Sequence, residues 1–229
     1  MNFAIADWIA VAVYVGAWLA YHLVADRANA RRRGLNHLMN AARGAWMARM
    51  GARDPRMVDA QITATLQNGA AFFASTSLLA LGGTIGLLRG ADDALRVFSE
   101  LPFAAAPSRA LFEAKVVGLA IVLGYAFFKF AWAYRLFNYT AILIGATPPP
   151  DEPDAASRAA SIERAARMQI AAGRHFARGQ RAVFFALAYL GWFLGPVPLV
   201  AATLFVLVVM IRRQFSSDAR AALIDPPDA

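Results

Sequence analysis

Two amides and three consecutive hydroxyls lie within an apolar stretch of this 229-residue sequence that is long enough to enter a membrane. The stretch reads ITATLQNGAAFFASTSLL, with amides at Gln67 and Asn68 and hydroxyls at Ser75, Thr76 and Ser77. Amides and hydroxyls bind water and ions through hydrogen bonds, but each costs several kcal/mol in hydrocarbon when it has no partner. We therefore expect this segment to face protein or water.

One helical face collects most of these polar groups. In steps of three or four residues, the face comprises Gln61, Thr65, Asn68, Phe72, Ser75, Leu79, Gly82 and Gly86. One interpretation is a helix that lines a hydrated path, with Gln67, Asn68 and Ser75 toward the permeant species. Phe72 or Phe73 would then narrow the path. The other interpretation is helix–helix packing, because amides, hydroxyls and small residues favour close contacts between membrane helices.

Three cations, Lys129, Arg174 and Arg178, are the candidate anion-attracting residues. Lys129 lies in the apolar run YAFFKFAWAYRLFNYT, where a charge is costly and commonly faces a cavity or a partner. The alternative for Lys129, and for Arg135 in the same run, is snorkelling of the charged head toward the lipid headgroups.

A second basic segment, SIERAARMQIAAGRHFARGQR, contains the other two candidates. Its arginines lie within a sector of roughly 100° on a helix, and they are Arg164, Arg167, Arg174, Arg178 and Arg181. This pattern predicts a basic amphipathic helix, either at a membrane surface or packed into a cytoplasmic bundle. In a channel, such a helix would form a positive vestibule that favours anions.

The sequence contains little that indicates catalysis. It has no cysteine, and its three histidines lack carboxylates at metal-ligand spacing, so we expect no metal site, no cofactor and no catalytic residue. Asp54 and Asp59 are the candidates for a membrane-surface enzyme. The simpler interpretation is that they pair with Arg53, Arg56 or other arginines.

The composition predicts that these residues belong to a membrane protein. The chain is 59% hydrophobic and only 17% charged, whereas soluble domains carry about 25% charged residues. The net charge of +8 is explained by basic cytoplasmic loops, so no nucleic-acid partner is expected. We predict an all-α polytopic integral membrane protein, with about four transmembrane helices and cytoplasmic amphipathic helices in a single membrane domain, 1–229.

The predicted spans are the four longest apolar stretches, at about 3–24, 62–88, 112–146 and 182–211. The first has too few basic residues before it to resemble a cleaved signal peptide. The last contains Pro196 and Pro198, which interrupt a helix. We prefer one kinked span there, and a re-entrant hairpin is the alternative.

The segments between the spans set the orientation. The loops at about 26–60 and 147–181 are rich in arginine, which places them in the cytoplasm and the N-terminus outside. With an even number of spans the C-terminus would also be outside, although Arg212 and Arg213 fit the inside better. In the first loop, LNHLMNAARGAWMARM predicts a helix with Arg43 and Arg49 off its apolar stripe. In the second, TPPPDEPD predicts a stiff connector that is not helical.

The run RRGLNHLMNAARGAWMARMGARDPRMVDAQITATLQNGAAFFASTSLLALGGTIGLL, together with FKFAWAYRLFNY, resembles the membrane family called domain of unknown function 599. The resemblance implies an integral membrane protein of bacteria or plant relatives, here assigned to the bacterial cytoplasmic membrane. It carries over no activity and no functional residue.

These observations lead to a functional hypothesis with two alternatives. The hypothesis is an oligomeric channel or transporter-like protein, anion-preferring, whose second span lines the path. The first alternative is a structural subunit that organises a larger membrane complex, and the second is the membrane-surface enzyme. The expected partners are the lipid bilayer and either further copies of the chain or another membrane protein.

Overall fold

The computed structural model describes residues 4–30, 34–99 and 108–224. Over these ranges the chain is helical apart from short connections. The helices are α1 Ile5–Ala30, α2 Leu35–Gly51, α3 Met57–Arg89, α4 Ala91–Ser99, α5 Arg109–Gly145, α6 Ala155–Tyr189, α7 Gly191–Leu194, α8 Pro196–Phe215 and α9 Asp218–Ala221. The protein is therefore all-α.

Four helical segments are long and apolar enough to cross a membrane, and they are Ile5–Ala25, Met57–Arg89, Arg109–Gly145 and Pro196–Ala221. This confirms the predicted class, a polytopic membrane protein. At 1.5 Å per residue, α3 is about 50 Å long and α5 about 55 Å, so both extend well beyond a hydrocarbon core of about 30 Å.

The centre of the bundle is α5, which packs along α3 on one side and along α6 on the other. Small side chains bring the three helices close together at two levels. At one level Ala70, Ala133 and Ala172 are fully buried together. At the next level the contact is made by Ala74, Ala126 and Ala182. Alanine permits close backbone approach without loss of helix propensity, which explains why these helices pack over their full length.

The stretch 182–211 is not one kinked span. It is divided between α6, which ends at Tyr189, and α8, which begins at Pro196. The turn depends on Gly195, whose φ of 137° favours glycine. Proline is well placed at the start of α8, because its missing N–H would have no helical partner there.

The two helices run antiparallel, as in the hairpin alternative. A Cβ at Gly191 would lie 2.7 Å from the carbonyl oxygen of Pro198, so the turn is tight. At the far end of α8, the guanidinium of Arg213 lies 5.3 Å from the ring centroid of Phe184 on α6. The first helix of this hairpin, α6, is longer than the predicted hairpin. It runs unbroken from Ala155 to Tyr189 and includes the arginine stripe.

The bundle has two distinct ends. The arginine-rich end holds α2, the first turns of α3 and α6, and the last turns of α5 and α8. The opposite end holds α4, α7 and the first turns of α1, α5 and α8. Both α9 and the last turn of α8 lie against α2. The C-terminal helix is therefore at the arginine-rich end, which corrects the expectation that it lies opposite the basic loops.

The connector TPPPDEPD is non-helical, as predicted, and each helix beside it is capped. At the start of α6, an Asp154 carboxylate oxygen accepts a hydrogen bond from the backbone N–H of Ser157 at 2.9 Å. At the end of α5, Arg56 donates to the carbonyl oxygens of Ile144, Thr147 and Pro148. A cation at a helix C-terminus also interacts favourably with the helix dipole.

Candidate functional site

The polar face of α3 is directed away from the rest of the chain. Its members are all exposed, and they are Gln61, Thr65, Asn68, Phe72, Ser75, Leu79, Gly82 and Gly86. The side chains of Phe72 and Leu79 are 66% and 77% exposed. A Cβ placed at Gly82 or Gly86 would meet nothing within 4 Å. The face predicted from helical spacing is therefore a surface of the single chain.

The other side of α3 explains this orientation, because it carries the residues that fit against α5. Thr63 and Ala70 are fully buried, and Ser77 is 4% exposed. Phe73 stacks on Phe130 of α5 with ring centroids 5.2 Å apart. Of the two candidate constriction residues, Phe72 therefore points outward and Phe73 belongs to the core.

The hydroxyls and amides on and beside the outward face differ in their hydrogen bonding. Thr65 and Thr76 donate to backbone carbonyl oxygens one turn earlier in α3, at 3.0 and 2.9 Å. Within the described part of the chain, the side chains of Asn68 and Ser75 make no hydrogen bond, and neither does that of half-buried Gln67. These three polar groups remain available to water, to an ion or to another chain.

The arginine stripe of α6 is divided between solvent and a cleft. Arg164 and Arg167 are exposed, and Arg167 forms an ion pair with Glu163 at 3.5 Å. Arg174, Arg178 and Arg181 line a cleft where α6 meets α2. The most deeply placed of them is Arg181, which is 7% exposed and lies 5.9 Å from the ring of Tyr21.

The cleft consists of two adjoining cavities at the arginine-rich end. The larger has a volume of about 130 Å³ and lies between α1, α2, α6 and α8. The smaller, about 20 Å³, lies between α2 and α6. Asn36, Ala177 and Arg181 line both. A water molecule needs about 10–15 Å³ of such volume, so the larger cavity can hold a group the size of a phosphate.

Arg43, predicted to lie off the apolar stripe of α2, faces this cleft. Its guanidinium lies against Gly173 of α6, where a Cβ would come within 2.5 Å of the guanidinium carbon. One of its nitrogens donates to the Oδ1 of Asn40 at 2.9 Å. Burial lowers the pKa of Arg43. Sequence spacing missed this contact because the absent side chain of Gly173 makes the room for it.

Lys129 lies outside the cleft. Its Nζ is 4.9 Å from the ring centroid of Tyr125, one turn away on α5. Arg135 is exposed and donates to the hydroxyl of Tyr139 at 2.6 Å. Of the three predicted anion-attracting residues, Arg174 and Arg178 therefore line the cleft, whereas Lys129 lies outside it but close enough to Arg178 for the two charges to repel each other.

Asp59, one of the two enzyme candidates, is held by hydrogen bonds within the protein. It is fully buried and accepts hydrogen bonds from Arg53 Nη1 at 2.6 Å and Trp46 Nε1 at 2.7 Å. This confirms the predicted pairing with Arg53 and ties α2 to the first turn of α3. Asp54 is exposed, and within the described residues it forms no ion pair.

A buried polar cluster at the opposite end was not predicted. The Nζ of Lys115 donates to the carbonyl oxygen of Trp192 at 2.7 Å, and the indole nitrogen of Trp192 donates to Asp7 Oδ1 at 2.8 Å. Lys115 is 4% exposed and Asp7 is 6% exposed. Lys115 and Asp7 carry opposite charges and lie near the ends of two apolar stretches, a pattern that indicates pairing. The pairing is not apparent from the sequence because the two residues are more than a hundred positions apart.

The fold and these two surfaces define a class, a helical polytopic membrane protein with an outward polar helix face and a basic cleft at one end. A family model described as "Protein of unknown function, DUF599" matches residues 9–219, so the chain belongs to this family. The family suggested by the sequence is thereby confirmed. Neither a curated protein nor a solved structure matches the chain significantly.

Proposed function

We propose that the protein is the subunit of an oligomeric membrane channel in which copies of α3 surround a hydrated, anion-preferring path. The observation that carries the proposal is the outward face of α3, where Asn68 and Ser75 have no hydrogen-bond partner within the described chain. In hydrocarbon each such group costs several kcal/mol. Water in a path between subunits would remove that cost.

The depth of the polar groups fits a path that opens at the arginine-rich end. Asn68 lies half a turn before Ala70, at the level of Ala133 and Ala172. Ser75 follows at the level of the next alanine contact, with outward-facing Phe72 between the two polar residues. A permeant ion would pass the amide, then the aromatic constriction and then the hydroxyl.

The preference for anions is supported by the positive charge of the arginine-rich end, at which the path would open. Arg174 and Arg178 line the cleft at the arginine-rich end, and Lys129 lies nearby on α5. Cations around the entrance of a pore raise the local concentration of anions.

We place this arginine-rich end in the cytoplasm and the N-terminus outside the bacterial cytoplasmic membrane. The support is the positive-inside rule. Because α6 packs antiparallel along α5 to Tyr189, next to Gly118, we propose that α6 is a fifth crossing segment. Five crossings then bring the C-terminus to the cytoplasm, where Arg212 and Arg213 fit the rule.

The alternative function is a structural subunit whose α3 packs against another membrane protein. The observation that favours it is the second half of the outward face, where Leu79, Gly82 and Gly86 are exposed and carry no polar side chain. Glycines spaced four apart allow close helix–helix contact in membranes. For the enzyme alternative, Asp59 is unavailable because it is buried and hydrogen-bonded, so that alternative rests on Asp54 alone.

Single cysteines distinguish the path from packing, since the native chain has no cysteine. In membranes containing the assembled protein, Asn68→Cys, Phe72→Cys and Ser75→Cys should react with a charged, water-soluble thiol reagent. The matched controls Ala70→Cys and Ser77→Cys face α5 and should react much less. Equal protection at all five positions would reject the hydrated path and favour packing.

A further inference from the structure

The cleft between α2, α6 and α8 has the composition of a phosphate site. Arginines reach it from three helices, and they are Arg43 on α2, Arg174, Arg178 and Arg181 on α6, and Arg213 on α8. Among the described side chains that line the two cavities, none is acidic. Because like charges repel, a cluster of arginines favours a bound anion. The planar guanidinium group of arginine can donate two parallel hydrogen bonds to the oxygens of a phosphate group.

Three of these arginines have no acidic partner among the residues that the structure describes. Arg43 donates to the neutral amide of Asn40, and Arg213 lies over the ring of Phe184. Arg174 makes no hydrogen bond or ion pair with any described residue. A bound anion would compensate these charges.

A second, independent observation is an amide in the wall of the larger cavity. Gln214 is 5% exposed, and its Nε2 is buried without a hydrogen-bond acceptor in the described chain. Asn36 and Gln180 line the same cavity and add further amide donors. A buried donor that has lost water costs free energy unless an acceptor replaces it. An oxyanion in the cavity supplies that acceptor.

The apolar part of the same cavity indicates where the phosphate comes from. Leu35, Phe184 and Met210 line it beside the polar groups. Tyr21, near the end of the apolar segment Ile5–Ala25, places the cavity at the boundary between the hydrocarbon and the arginine-rich end. A phosphate attached to acyl chains matches this mixed lining better than a free ion does. Basic pockets between membrane helices on the cytoplasmic side favour anionic lipid headgroups.

We infer that this cleft binds the phosphate group of an anionic phospholipid, with Arg213 and Gln214 of the larger cavity as its principal ligands and Arg43 of the adjoining smaller cavity contributing positive charge. The site does not depend on conduction through the face of α3. Its occupancy can be measured without any flux assay.

The test is retention of lipid by the purified full-length protein in detergent, measured by native mass spectrometry. Phosphatidylglycerol should be retained in preference to phosphatidylcholine. The double variant Arg43→Gln, Arg213→Gln should weaken that retention about thirtyfold, since each basic residue near anionic headgroups is worth about fivefold. The control Arg49→Gln, Arg167→Gln removes the same charge from exposed positions of α2 and α6 and should leave retention unchanged.

Two further variants keep the inference testable if the double variant folds poorly. Gln214→Glu preserves the shape of the side chain but adds a negative charge, and it should reduce retention of phosphatidylglycerol at least tenfold. Gly173→Ala displaces the Arg43 guanidinium and should weaken retention without changing the net charge.

Three outcomes would overturn the inference. The first is equal retention of phosphatidylcholine, and the second is an equal loss in the Arg49→Gln, Arg167→Gln control. The third is complete displacement of phosphatidylglycerol by millimolar inorganic phosphate, which would assign the cleft to a soluble phosphate-bearing ligand instead.

Discussion

The indole nitrogen of Trp192 donates a hydrogen bond to Asp7 Oδ1 at 2.8 Å, although the two residues are 185 positions apart. The carbonyl oxygen of the same tryptophan accepts from Lys115 at 2.7 Å. One residue of α7 therefore joins the first turn of α1 to the start of α5. It does so through a buried carboxylate and a buried ammonium, each of which would be costly alone.

Replacing Trp192 with Phe should destabilise the opposite end of the bundle. The change removes the only donor that this residue offers to Asp7 but keeps an aromatic ring and the backbone carbonyl. Leaving a buried acceptor unsatisfied costs about 1–3 kcal/mol. We expect the midpoint of thermal unfolding in detergent to fall by several degrees. Trp132→Phe is the control, because Trp132 is 47% exposed, and an equal effect there would contradict the assignment.

Gly179→Ala should destabilise the contact between α5 and α6. A Cβ at this position would lie 2.7 Å from the ring of Phe130, which is itself fully buried. Overpacking of this kind costs about 1–3 kcal/mol. The matched control is Gly124→Ala in α5, where a Cβ meets nothing within 4 Å. It should stabilise the helix by about 0.5–1 kcal/mol. The midpoint of thermal unfolding, measured for both variants and for the native chain, should fall in Gly179→Ala and rise in Gly124→Ala.

The C-terminus should be cytoplasmic. The reason is that α9 and the last turn of α8 lie against α2, at the arginine-rich end. In intact cells, a membrane-impermeant thiol reagent should label Ala110→Cys at the start of α5 but should not label Ala222→Cys. After lysis both should be labelled. Labelling of Ala222→Cys in intact cells would contradict this prediction. It would show either that the arginine-rich end of the bundle lies outside the cell or that α6 does not cross the membrane.

Removing the charge of Arg174 and Arg178 should reduce anion flux if these residues line the mouth of a path. The double variant Arg174→Gln, Arg178→Gln is compared with Arg164→Gln, Arg167→Gln, which neutralises exposed members of the same stripe. In reconstituted liposomes we expect lower anion flux and a weaker preference for anions over cations in the first variant only. If the native protein carries no small ion at all, the channel proposal fails.

The α3 face was predictable because helical periodicity is a local property. The spacing of Asn68, Phe72 and Ser75 depends on 3.6 residues per turn and needs no knowledge of distant segments. The same reasoning predicted three of the four apolar helices close to their observed bounds. It also predicted the non-helical connector, because proline restricts its own backbone and that of its neighbours.

The path of residues 182–211 was not predictable in the same way. Two prolines are compatible with a kink or with a turn, and the choice depends on what each half packs against. The close approach of Gly191 to Pro198 and the long contact of α6 with α5 decided for the hairpin. The helices α1, α2 and α8 also surround Arg181, which is buried in a helix whose arginine spacing was compatible with a membrane surface or with a packed bundle.

The sequence by itself therefore determined the class of the protein, the helical segments and the polar face of α3, because hydropathy and periodicity act between near neighbours along the chain. Only the tertiary structure decided that Arg43 lies on Gly173, that Trp192 joins Asp7 to Lys115, and that the basic residues of three helices enclose one cleft. The physical reason is that these contacts depend on steric fit and charge between segments far apart in the chain, which no local pattern encodes.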